Sequence, residues 1–122
     1  MRDFHGTFTV LKALLEPYAA HLHITSDTAT IYMLDGEYVA QFKRKMPFGG
    51  VQVRRSYVSF HLLPVYSHPE LLGNVSDRMR RRMQGKSCFN FVTPDSELFT
   101  ELSGLIDAGF TLYERLGWVR TQ

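Results

Sequence analysis

The stretch Ser56 to Tyr66, SYVSFHLLPVY, alternates with a period of two: Val58, Phe60 and Leu62 fall on one side, Tyr57, Ser59 and His61 on the other. Such a strand has one face to bury and one to show, so a second layer must cover its apolar side. The flanks supply that layer. In DFHGTFTVLKALLEPY the residues Phe4, Phe8, Leu11, Leu15 and Tyr18 recur at spacings of three and four, with Asp3 as N-cap and Pro17 near the end. Near the other end of the chain, Leu98, Leu102, Leu105, Gly109, Leu112 and Leu116 form the stripe of a long helix, capped by Thr93 or Asp95 and closed by Gly117.

Between the helices, HLHIT, TATIYMLD and EYVAQFKRK read as successive antiparallel strands, with Asp35-Gly36 as a tight hairpin turn. FGGVQV continues the sheet, with Gly49-Gly50 marking one turn and Arg54 to Ser56 another turn or a bulge, and Pro64 closes the alternating strand. HPELLGNVSDRMRRRMQG predicts a single helix of about four turns, with Pro69 at its first position, Gly85 at its C-terminal cap and Leu71, Leu72, Val75, Met79 and Met83 on one face. KSCFNFV follows as a strand, Phe89 and Phe91 inward, Cys88 and Asn90 outward. The expected fold class is therefore α+β: a two-layer sandwich in which one mainly antiparallel sheet packs against helices in the order helix, strands, helix, strand, helix, as a single domain over 1–122 with the first and last helices on one face. With 44% hydrophobic residues, 122 residues suffice for a core of that kind.

Charge and cysteine content narrow the function classes. The formal net charge is +2, too mild to imply nucleic acid. No apolar run is long enough for a transmembrane helix, and Asp3, His5 and Lys12 interrupt any signal-peptide pattern, so the expectation is a soluble, cytoplasmic domain without membrane contact. One cysteine excludes an internal disulfide, and Cys88 reads as an ordinary thiol with no metal cluster around it. His21 and His23 share a face but have no further ligands nearby, and no second His, Asp or Glu can be placed beside His61 from spacing, so neither an enzyme active site nor a metal or other cofactor is expected.

The strand SYVSFHLLPVY, the segment KSCFNF after the arginine-bearing helix, and the closing helix from Ser96 together resemble the YdhG-like family of bacterial domains, most of which have no assigned activity and whose fold is similar to frataxin. The resemblance implies that fold and, for one branch, iron handling as a chaperone. Frataxin-like iron surfaces rest on clustered carboxylates of the first helix and strand; this chain offers Asp3, Glu16 and Asp27 there.

The residues themselves point to the outward face. Tyr57, Ser59 and His61 are expected to share it with Tyr32, Gln41, Lys43 and Asn90, while Ile31 and Phe42 lie inside. Basic side chains at Lys43 to Lys45 and in RMRRR, where Arg78, Arg81 and Arg82 share a flank, would edge it. The candidate ligand-binding residues are thus Tyr32, Lys43, Lys45, Tyr57, Ser59, His61, Arg81 and Lys86, and the expected function is a non-enzymatic binding or chaperone-like domain holding a small anionic ligand or a protein partner. Frataxin-like iron delivery is the alternative. Base stacking on an open sheet is a physically reasonable third reading, but this element order does not match the usual RNA-binding sheets, so nucleic acid is not expected.

Overall fold

The computed structural model describes residues 3–120. Six strands form one antiparallel sheet in the order β1-β2-β3-β4-β6-β5, built from β1 (His23–Asp27), β2 (Ile31–Val39), β3 (Arg44–Val53), β4 (Val58–Leu62), β5 (Met83–Gln84) and β6 (Cys88–Phe91). Register sets the core: Tyr32 pairs with Val51, Val51 with Phe60, and Phe60 with Phe89, a row across four strands in which no side chain exceeds 2% exposure.

Two long helices cover that face. α1 (Phe4–Leu15) starts where the Asp3 carboxylate accepts from the Gly6 N–H, and it lays Leu15 against Gly49 and Leu62. α4 (Ser96–Leu116) starts at Asp95, which accepts from the Leu98 N–H, and ends at Gly117 in the left-handed region, φ 77°. Phe99 of α4 packs edge-on against Phe91, and Phe110 and Tyr113 pack against Phe48. The inner stripe of α4 runs through Leu98, Leu102, Leu105 and Gly109 as the spacing predicts, with Phe99, Ile106, Phe110 and Tyr113 beside it. Leu116, expected inside, is 41% exposed. The molecule is the two-layer α+β sandwich that the alternation requires.

Several local expectations are corrected. Asp35-Gly36 is not a turn: β2 runs through it, and the reversal comes later, at Ala40 to Lys43, with Lys43 at φ 56°. Gly49-Gly50 likewise sits inside β3, buried, while the next reversal occurs at Arg54, whose N–H donates to the Tyr57 carbonyl. The helix expected from Pro69 to Gly85 is broken into a 3-10 turn, Pro69–Leu72, and a short helix α3 (Asp77–Arg81). Ser76 causes the restart: its hydroxyl accepts from the Met79 N–H and donates to Glu101 of α4, after the helix-poor pair Gly73-Asn74. Met83 and Gln84 then form an edge strand, and Gly85, at φ 77°, turns the chain into β6 instead of capping a helix. Between β4 and the 3-10 turn lies one further helical turn, α2 (Pro64–Ser67), which begins at the predicted strand-ending proline.

Candidate functional site

On the face away from the helices, register arranges two rows. Met33, Gly50, His61, Cys88 and Gln84 are successive cross-strand partners, and so are Ile31, Gln52, Ser59 and Asn90. Ser59 and His61 therefore stand where alternation places them, opposite the fully buried Val58, Phe60 and Leu62. The face is less open than the sequence suggests. Ser59 is only 5% exposed, and the Met33 thioether lies over Gly50, where a Cβ would collide with it.

His61 is held from both sides. Its Nε2 lies 3.2 Å from Ser59 Oγ and its Nδ1 lies 3.0 Å from Cys88 Sγ. Burial, and secondarily the positive charge of Arg54, lowers its pKa below the ordinary histidine value, which favours neutral imidazole. A neutral ring has one N–H and one lone pair, so it donates to one of these neighbours and accepts from the other. Beside it, Thr25, Met33, Asp35, Pro47, Gly49 and Leu63 complete a depression of ≈ 280 Å³. Spacing places no His, Asp or Glu beside His61; antiparallel pairing of β4 with β6 instead brings in a thiol 27 positions away. The alternation of KSCFNF had already placed Cys88 outward; strand order, which periodicity does not encode, was the missing signal.

A second feature lies at the sheet's end. Arg78, Arg81, Arg82, Phe91, Val92, Thr93, Asp95 and Leu98 enclose a recess of ≈ 260 Å³ where β6 leads into α4. Arg78 is neutralised there: it donates to Asp95 at 2.7 Å and Glu97 at 3.0 Å. The Leu98 N–H, with Arg78 as a further cause, holds the Asp95 carboxyl below its ordinary pKa. Arg81 and Arg82, both exposed, have no carboxylate within ion-pairing distance among the described residues. The Arg82 carbonyl accepts from the Asn90 N–H, so the recess adjoins the Ser59–Asn90 row of the sheet face. Arg81 and Arg82 meet here on the flank that their spacing predicts, whereas Thr93, expected only as a candidate cap, joins them because the fold brings the start of α4 beside α3.

The remaining candidates scatter. Tyr32 is on the opposite, helix-covered face, 2% exposed, since its partner is Val51 and not Gln52; Ile31 takes the outward position instead. Gln41 and Lys43 lie in the turn after β2, with Phe42, 46% exposed, packed edge-on against Trp118 rather than inside. Lys45 is exposed opposite Tyr38, near the start of β3 and well before Gly50 reaches His61. Tyr57 is half-buried just before β4. Lys86 sits with its ammonium 5.9 Å from the Tyr66 ring, on a separate groove with Met83 and Leu72. His21 and His23 also part company: His21 Nδ1 meets the Arg120 carbonyl, whereas His23 Nε2 meets Glu37 at 2.8 Å.

Of the carboxylates relevant to iron, Asp3 caps α1 and Asp27 pairs with Lys12 at 3.0 Å. Among the described residues no three His, Cys, Asp or Glu side chains converge as metal ligands, and no helix is long and apolar enough to cross a membrane. Compared with known proteins, the chain matches no family model, no curated protein and no solved structure.

Proposed function

We propose that this chain is a non-enzymatic binding domain that takes an anionic group, of a small ligand or of a partner protein, into the recess between α3 and the start of α4. One observation carries the reading: Arg81 and Arg82 line a concave site and, among the described residues, neither has a carboxylate within ion-pairing distance, while their neighbour Arg78 pairs with Asp95 and Glu97. Guanidinium groups left in that state suit bidentate contacts to phosphate or carboxylate oxygens. Thr93 adds a polar residue to the same recess.

The motif around Cys88 keeps the YdhG-like, frataxin-like kinship as part of this proposal, and a chain with one free thiol suits a cytoplasmic address. Iron delivery has weaker support, because Asp3 and Asp27 are already engaged. Titration with inorganic phosphate, followed by amide shifts, tests the reading. Saturable shifts at Val92, Thr93 and Arg82 that vanish in the Arg81→Ala/Arg82→Ala double variant are expected. Unsaturable shifts, or shifts unchanged in that variant, would overturn it.

A further inference from the structure

The Cys88–His61 pair lies outside the lining of the arginine recess, and its geometry has chemistry of its own. The imidazole touches Ser59 through Nε2 and Cys88 through Nδ1, so its proton resides on one side or the other. In the tautomer whose Nε2–H donates to Ser59 Oγ, the Nδ1 lone pair faces the Cys88 thiol. The thiol is half-buried, not sealed, and the imidazole beside it lines the ≈ 280 Å³ depression on the sheet face.

We propose that Cys88 and His61 form a thiol–disulfide exchange site, at which Cys88 takes up a low-molecular-weight thiol as a mixed disulfide with His61 as proton acceptor. His61 Nδ1 receives the S–H proton while Cys88 Sγ attacks one sulfur of a small disulfide RSSR. The Cys88–sulfur bond forms as the S–S bond breaks, and the departing RS⁻ carries the electron pair away and is protonated by the imidazolium, giving Cys88–S–SR and RSH. The disulfide is the oxidant and is reduced to RSH. The chain contains a single cysteine, so no internal thiol resolves the product, and the adduct persists until an external thiol reverses it. The appended group then lies on the sheet face between His61 and Gln84, the register neighbours of Cys88.

The test uses 2,2′-dithiodipyridine, with the reaction followed by absorbance and the adduct by intact mass. At neutral pH the native chain should react about tenfold faster than the same chain unfolded in denaturant, since only the fold supplies the base. His61→Gln, checked for native structure by circular dichroism, should fall to the unfolded rate, and Cys88→Ser should gain no mass. A native chain that reacts no faster than the unfolded one would overturn the proposal without reliance on any variant. So would a folded His61→Gln protein that reacts like the parent.

Discussion

The carbonyl of Trp118 sits directly against Gly36: a Cβ at position 36 would overlap that oxygen, and the Glu37 N–H donates to it at 2.6 Å. Gly36 is therefore required by the approach of the chain after α4 to a continuous strand, although Asp-Gly is the commonest signature of a hairpin. Gly36→Ala should lower unfolding free energy by roughly 2–4 kcal/mol, because backbone must move and the Glu37 bond is lost with it. Urea denaturation measures this. A loss below about 0.5 kcal/mol, the range of ordinary surface changes, would show that the crossing is not needed for stability.

The adjacent positions Phe60 and His61 separate the two layers. Phe60 is fully buried between Val51 and Phe89, whereas His61 is half-buried among polar groups on the far face. Phe60→Ala should cost about 3–5 kcal/mol, and His61→Ala about 1 kcal/mol for its hydrogen bonds. Melts in denaturant distinguish them, and equal losses would mean that the sheet's second face is itself core.

The same comparison explains what the sequence could convey. Alternation in Val58 to Leu62 and in Cys88 to Phe91, and the caps Asp3, Asp95 and Gly117, are local signals, and each acts in the fold as its chemistry predicts. Glycine signals misled because Gly36 and Gly50 serve close approach by Trp118 and Met33, partners remote in sequence or on another strand. Tyr32 faces the helices because β2 reaches β3 through the later turn at Ala40 to Lys43, with register shifts on either side of Asp35, and this pairing sets Tyr32 opposite Val51. The meeting of Cys88 with His61, and of α3 with the start of α4, depends on which elements become neighbours; no periodicity within a segment contains that information.

Acidity should weaken the fold through His61. Burial and the Arg54 charge hold its folded pKa below the value near 6.5 of an unfolded chain. As pH falls through that unfolded value, the unfolded state binds a proton that the folded imidazole refuses, so stability is lost until the folded pKa is passed. The urea midpoint of the parent should fall between pH 7.5 and 5.5, and that of His61→Gln should fall less. Identical declines would remove His61 as a source of the pH dependence.

Asp95 joins stability to the arginine recess, and its two roles can be separated chemically. One oxygen accepts the Leu98 N–H at 3.1 Å and caps α4; the other pairs with Arg78 at 2.7 Å. Asparagine retains a capping oxygen but gives up the charge, whereas alanine gives up both. Asp95→Ala should therefore destabilise by about 1 kcal/mol, and Asp95→Asn by a few tenths. Both should release part of the Arg78 charge into the recess and strengthen inorganic phosphate binding, by about threefold to tenfold for one exposed ion pair removed. The order matters more than the size: Asp95→Asn must gain phosphate affinity while its urea midpoint stays near the parent's. If affinity stayed constant in both variants, the arginines would not be acting together on an anion, and their cluster would be no more than a solvated, positively charged flank.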